Sequence, residues 1–183
     1  MLFRSQYCGL AIDDPSLANI FALAAEHDVP VLVHSHGTGR STERFRIGLG
    51  NPIHIEEVLV QHPDLRLYVE DAGFPFLEET VALMYNYPNV YGDLANLGWM
   101  SPRPVFYKYL RALVEHGLGD RLFFGTDQMQ WPEVIDEAVE AIQSADFLTL
   151  EQKAGIFYNN AARFLRLSDE EIARHHSNTG RKS

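Results

Sequence analysis

The chain has 183 residues, 46% hydrophobic and 22% charged, which suffices for one domain with a buried core and is ordinary for a soluble globular protein. Its formal net charge of −10 argues against nucleic acid or an anionic membrane surface as partner, because phosphate binding needs a basic surface. The single Cys8 excludes an intrachain disulfide and suits a reducing cytosol, and no apolar run approaches the roughly twenty residues of a transmembrane helix.

Helical segments recur along the whole chain. Residues 13–16 combine an acidic cap with a proline, which predicts a first helix, and Pro52 and Pro132 predict later helix starts. The predicted helices cover, in chain order, residues 16–28, 52–62, 76–87, 103–117, 132–145, a segment from Thr149 and a short one from Ser168. Within the segment from Thr149, the pair Asn159-Asn160 is expected to act as a helix cap.

Four apolar runs of strand length lie between these helices, and each ends in a polar or ionisable residue. The runs are residues 29–36, 65–71, 89–94 and 121–127. Alternating helices and strands predict a parallel sheet, whose strands all have their carboxyl ends at one edge. The residues expected to converge at that edge are His34, Asp71, Asp93 and Asp127.

The first strand ends in His34-Ser35-His36, a possible metal-binding pair. Alternation places both histidines on the same side of the strand, and neutral imidazole binds zinc and other divalent transition metals. A hydrogen-bonded histidine at a strand end is the structural alternative, because an H-x-H spacing alone is a weak signal. The polar segment 35–51 that follows is too irregular for core and is predicted to be a functional loop.

Three acidic residues end the other strands. Asp127, in Gly125-Thr126-Asp127, can bind a metal or take a proton from activated water, and Pro132 places the next helix too late for Asp127 to cap it. Adjacent side chains on a strand face opposite ways, so only one of Glu70 and Asp71 should face the site, and Asp71 at the strand end is the one we predict. A capping or loop role for Asp71 is equally compatible with the sequence, and Asp93 is the weaker candidate.

Four segments together resemble the amidohydrolase superfamily, in its branch of metal-dependent hydrolases and non-oxidative decarboxylases. They are PVLVHSH, LRLYVEDAGFP, FFGTDQMQWP and EQKAGIFYNNAARFLRL, and the resemblance covers roughly residues 10–167. That family folds as a (β/α)8 barrel. The resemblance implies that His34 is the metal ligand at the end of the fifth barrel strand, and that Asp127 is the metal-binding or proton-accepting aspartate after the eighth.

Two departures from the family pattern stand out. The sixth strand of the family usually ends in a histidine followed by Ala-Gly or Gly-Gly, whereas this chain has Asp71, which donates a proton poorly near neutral pH. The first-strand H-x-H pair that supplies two ligands has no counterpart, and a whole barrel needs about 250 residues. We therefore predict an α/β fold that is the C-terminal half of a TIM-type barrel, with about four parallel strands, as one domain over residues 1–183 with a disordered tail at about 175–183.

The resemblance implies a metal-dependent hydrolase acting on a small carbonyl or carboxylate compound. A divalent ion, zinc for preference, would be held by His34 and Asp127, with Asp127 and Asp71 catalytic. Substrate contacts are expected from His36, Arg40 and Trp131. The alternatives are a non-oxidative decarboxylase of the same family and an impaired half-barrel that acts only by association. A cytoplasmic location is expected, and two open sheet edges predict a homo-oligomer or pairing with a missing N-terminal half.

Overall fold

A computed structural model describes residues 2–3, 7, 9–35, 45–128 and 131–177. Its centre is a five-stranded parallel sheet in which the strands follow one another in chain order, from β1 to β5. The four predicted strands are present, and a two-residue strand precedes them. The strands are β1 (Leu2–Phe3), β2 (Val31–Val33), β3 (Leu67–Val69), β4 (Val90–Asp93) and β5 (Leu122–Phe123).

Helices connect successive strands and also follow the last strand, as the sequence predicts. They are α1 (Ala18–Glu26), α2 (Glu56–Gln61), α3 (Leu77–Asn86), α4 (Leu97–Met100), α5 (Arg103–Glu115), α6 (Val134–Gln143), α7 (Leu150–Ala154), α8 (Asn160–Phe164) and α9 (Asp169–Ser177). The four-residue α4 was not predicted, because one turn carries no readable periodicity. Across the described ranges, every helix is too short or too polar to cross a lipid bilayer.

The prolines begin helices because their fixed φ suits a first turn and the amide hydrogen they lack has no partner there. At Pro52 the first turn is a 3-10 helix, and the Asn51 side chain accepts a hydrogen bond from Ile53 N at 3.0 Å. α7 begins with a reciprocal capping box between Thr149 and Gln152. α9 continues to Ser177, so the start of the predicted disordered tail is helical, and residues 178–183 lie outside the described part.

Strand alternation divides the sheet into a helix-facing side and an inner side. On the helix-facing side, Val31, Val33, Leu67, Val69 and Val90 are at most 2% exposed and join the main hydrophobic core. Each strand residue between two such positions points to the inner side. The sheet is thus positioned by the helices packed on one face, and its other face carries the site.

The inner side is closed near the start of the strands by an aromatic cluster. Phe164 of α8 packs on Tyr91, Phe123 and Tyr68, with ring centroids 5.0, 5.6 and 5.7 Å apart. Arg66, just before β3, donates through Nη1 to the Phe164 carbonyl at 2.5 Å. Helix α8 therefore covers the inner side near the start of the strands. The acidic residues lie at the opposite, carboxyl ends of the strands.

Candidate active site

His34 and Glu70 form a buried pair at the carboxyl ends of adjacent strands. The β2–β3 register pairs Val33 with Val69, which makes His34 and Glu70 the next cross-strand neighbours. His34 Nδ1 contacts Glu70 Oε2, and each residue is only 5% exposed. Tyr7 packs against the imidazole, with ring centroids 5.4 Å apart. The neighbouring carboxylate thus fixes the ring orientation of the predicted metal ligand.

Asp71 is fully buried and is hydrogen-bonded to residues at the end of β4 and in the turn after it. Its backbone is left-handed, with φ 53°, as are those of Ala72 and Gly73 that follow. Asp71 N donates to Asp93 Oδ1 at 2.9 Å, and Asp71 Oδ1 accepts from Asn96 N at 3.2 Å. The Asp71 carboxylate therefore joins the turn after β3 to the turn after β4.

The structure places Glu70, rather than Asp71, beside His34. Sequence reasoning selected Asp71 because it ends the apolar run and aligns with the family histidine. A usable signal was present, because Leu67 and Val69 are apolar and strand alternation puts Glu70 on the face opposite to theirs. The catalytic role of Asp71 stays a prediction.

Asp93 ends β4 and lies among the other carboxylates of the rim. Burial raises the pKa of its carboxyl well above the usual range, and repulsion from Asp71 and then Glu70 adds to the shift. The hydrogen bond from Asp71 N lowers the pKa in part, and Asp127 adds a smaller repulsion. The strand ends therefore concentrate negative charge at one place, which favours a bound cation.

Asp127 follows β5 in a turn that other rim residues hold. The Asp127 side chain is exposed, and its backbone is left-handed with φ 46°. Trp99 Nε1 donates to the Thr126 carbonyl at 2.7 Å, which ties this turn to the segment after β4. At Gly125 a Cβ would lie 3.3 Å from the Ala95 backbone, so the close approach of the two turns favours glycine.

The rim separates His34 and Asp127 by two strands. At the usual spacing of neighbouring strands this is about 14 Å along the sheet, a separation that barrel curvature shortens. Glu70 and Asp93, rather than apolar side chains, lie on the strands between them. In the described ranges, no group of three or more His, Cys, Asp or Glu side chains is arranged to hold a metal ion.

The predicted substrate contacts are only partly placed. His36 and Arg40 lie outside the described residues. Trp131 is 58% exposed, just before α6. The cofactor and substrate roles of these residues stay predictions.

A sequence profile of the family described as amidohydrolase matches residues 1–167. Among curated proteins, the chain is 26% identical over 165 residues to the protein fluG of Emericella nidulans, covering 81% of this chain and 19% of that protein. The chain therefore spans about a fifth of the length of this relative.

Solved structures share the fold at low sequence identity. An uncharacterised TIM-barrel protein from Bordetella bronchiseptica is 23% identical with a TM-score of 0.67, covering 86% of this chain and 52% of that one. A 5-carboxyvanillate decarboxylase from Sphingomonas paucimobilis is 14% identical with a TM-score of 0.64, and the match covers 92% of this chain and 58% of that one. An amidohydrolase from Burkholderia multivorans with bound zinc is 19% identical with a TM-score of 0.63, and the match covers 91% of this chain and 64% of that one. The predicted partial TIM-barrel fold is confirmed, and the chain spans about half to two thirds of these barrels.

Proposed function

The chain belongs to the amidohydrolase family, and on this basis we propose that it supplies half of a metal-dependent hydrolase site for a small carbonyl or carboxylate compound. The observation that carries the proposal is the buried contact between His34 and Glu70 at the strand ends. A histidine that ligates a metal through one ring nitrogen characteristically donates a hydrogen bond from the other ring nitrogen to a carboxylate or carbonyl. A protein of the same fold, from Burkholderia multivorans, contains bound zinc.

The residues at the rim fit a divalent cation in charge and in chemistry. Imidazole and carboxylate are zinc ligands, and His34 and Asp127 supply one of each. The repulsion between the rim carboxylates, which raises the pKa of Asp93, would be relieved by a bound cation. Two ligands are fewer than the three protein ligands of most catalytic zinc sites, so we infer that a second polypeptide completes the site.

Each residue at the rim has a distinct part in the proposed reaction. A divalent ion bound here would lower the pKa of its water to about 7 and so would supply the nucleophile. His34 would hold the ion, and the exposed Asp127 would either hold it as well or accept the proton of the attacking water. Asp71 joins the turn after β3 to the end of β4 and the turn after it. It does so through the bond from its own amide to Asp93 and the bond that its carboxylate accepts from Asn96 N. His36, Arg40 and Trp131 are proposed to bind the substrate.

Zinc titration by calorimetry on the chelator-stripped chain tests this proposal. We expect saturable binding that weakens by more than about tenfold in His34→Ala and in Asp127→Asn, because each removes a ligand. The matched controls are His27→Ala and Asp146→Asn, whose side chains are exposed away from the strand ends. Binding that is absent, or equal in all four variants, would contradict a metal site at this rim.

A half-barrel that acts only by association is the second candidate. It is favoured by the described residues, which hold no cluster of three metal-binding side chains. This candidate predicts that the chain self-associates through its open sheet edges and holds no stoichiometric zinc. Elemental analysis of the zinc content, together with the mass measured by size exclusion, separates it from the first candidate.

The reaction type is proposed as hydrolysis, with non-oxidative decarboxylation as the alternative. The 5-carboxyvanillate decarboxylase shares the fold and supports this alternative. Aromatic carboxylic acids labelled with carbon-13 in the carboxyl group distinguish the two reactions. Release of labelled carbon dioxide would identify a decarboxylase, and cleavage of an ester or amide without it would identify a hydrolase.

A further inference from the structure

We propose that Glu70 is a positioning residue, which keeps the proton of His34 on Nδ1 so that Nε2 presents its lone pair to the metal ion. This inference rests on the proposed function, since it assigns His34 to a metal site. Sequence reasoning set Glu70 aside in favour of Asp71, and the placement of Glu70 comes from the fold.

The backbone alone brings the two side chains together. Val33 and Val69 are paired in the β2–β3 register and are buried on the helix-facing side at 2% and 0% exposure. The next residue of each strand points to the opposite side, and in a parallel pair both residues lie at the same level. His34 and Glu70 are therefore neighbours on the inner side, and their side chains meet through Nδ1 and Oε2.

The buried surroundings of His34 and Glu70 let the contact between them determine which ring nitrogen of His34 carries the proton. An ionised carboxylate only accepts hydrogen bonds, so the ring nitrogen that faces it carries the proton. With each residue 5% exposed, water competes little for that hydrogen bond, and a charge-assisted bond is stronger in such surroundings. The remaining nitrogen, Nε2, then carries the lone pair that coordinates a metal.

Packing on the ring limits the alternatives. Tyr7 lies against the imidazole at an interplanar angle of 49° and also contacts Phe45, with ring centroids 5.2 Å apart. A 180° turn of the ring about its Cβ–Cγ bond would put Cδ2 in the place of Nδ1 and so break the contact with Glu70. Glu70 and Tyr7 thus hold the imidazole in one orientation before any metal binds, which is the role that a carboxylate beyond the ligand shell has in zinc sites.

Nitrogen NMR of the metal-free chain tests the inference directly. Long-range nitrogen–proton spectra of histidine-labelled protein distinguish the two neutral tautomers, and a His34→Gln variant assigns the signal among the eight histidines. We expect the Nδ1–H form in the unmodified chain. Glu70→Gln should keep it, because the amide oxygen can still accept the hydrogen bond from Nδ1–H, whereas Glu70→Ala should shift the population to the Nε2–H form.

Zinc affinity is the second readout. Loss of a carboxylate in this position typically costs 10- to 100-fold in affinity, so we expect about that loss in Glu70→Ala and a smaller one in Glu70→Gln. Glu78→Gln, at an exposed site of α3, is the matched control. Melting temperature and near-ultraviolet circular dichroism verify that each variant is folded, and Glu70→Gln, the closest in shape, keeps the test informative if the alanine variant unfolds.

The outcomes separate this inference from the proposed function. An Nε2–H tautomer in the unmodified chain, or an unchanged tautomer in Glu70→Ala, would overturn the positioning role even if zinc binds. The Nδ1–H tautomer that depends on Glu70, in a chain that binds no zinc with or without a partner, would support the positioning geometry and refute the metal site.

Discussion

At the scale of single residues, the rim is built from backbone conformations that most side chains avoid. Asp71, Ala95 and Asp127 have positive φ, and each follows the end of a different strand by a few residues. Such conformations cost about 1–3 kcal/mol each and are found where the surrounding contacts enforce them, often at functional sites. Here the enforcing contacts include the hydrogen bonds from Asp71 N to Asp93 and from Trp99 Nε1 to Thr126.

Asp93 gives a prediction of how stability depends on pH. Its pKa is raised in the folded chain, so the folded state keeps the proton to a higher pH than the unfolded state does. Stability is therefore lost as pH rises from the unfolded pKa near 4 toward the raised folded value. Asp93→Asn removes this loss, while its amide oxygen can still accept the hydrogen bond from Asp71 N.

We expect Asp93→Asn to be more stable than the unmodified chain at pH 7, and this difference to shrink toward pH 4, where Asp93 is protonated in the folded state and largely so in the unfolded state. Urea unfolding at the two pH values, with chelator present, measures this difference. Asp146→Asn is the control, because the Asp146 side chain is 93% exposed. An equal effect of Asp93→Asn at both pH values would contradict the shift.

At the scale of elements, the prediction that Asn159-Asn160 caps a helix is wrong. Asn159-Asn160 was expected to cap a helix, but the chain runs through both residues from a π-helical segment, Gly155–Asn159, into α8. Asn160 is 2% exposed, and its Nδ2 donates to Gly119 O at 3.0 Å and to Leu122 O at 2.6 Å. Asn160 thus fastens the C-terminal helices to β5, the strand that leads to Asp127.

Asn160→Asp tests this tie. The substitution keeps the shape but replaces the donating amide by an oxygen that faces two buried carbonyl groups. We expect a loss of about 2–4 kcal/mol in the free energy of unfolding, from two lost hydrogen bonds and the groups left unsatisfied.

The neighbouring Asn159→Asp is the matched control, because that side chain is exposed. Denaturant unfolding of the two variants at neutral pH is the measurement. Similar stability of both would show that the Asn160 amide does not hold the helix to the strand.

At the scale of the whole molecule, the described sheet has an edge strand on each side that pairs with only one neighbouring strand. In the described part of the chain, β1 pairs only with β2, and β5 pairs only with β4. A parallel sheet is normally covered on both faces, and among the described residues Phe164 covers the inner side near β3 to β5. Leu32, on the inner side of β2, is partly exposed. These features support our proposal that the chain associates with a second polypeptide.

We expect the chain to sediment as a species larger than a monomer, and Leu32→Lys to shift it toward monomer by placing a charge on the inner side. Val60→Lys is the matched control, because Val60 is 61% exposed on α2. Sedimentation velocity at several concentrations measures both variants. A chain that is monomeric at all concentrations, or that dissociates equally in the two variants, would contradict association through the inner side.

The sequence by itself determined the strand–helix alternation, the four main strands, the polar residues at their ends and the membership of the amidohydrolase family. These follow from local periodicity and from motifs, which do not depend on distant neighbours. It did not reveal β1 or α4, because two- and four-residue elements are stabilised by their neighbours and carry little pattern of their own.

Strand alternation with Leu67 and Val69 favours Glu70 as the inward-facing acid, but only the tertiary structure showed that Glu70 accompanies His34. Alternation tells that Glu70 and Asp71 differ in direction, but which one faces inward depends on the side that the helices cover and on the left-handed turn at Asp71. The same holds for Asn160, whose partners lie about forty residues away along the chain. Contacts between residues distant in sequence are set by packing, and for this reason the fold was needed to place them.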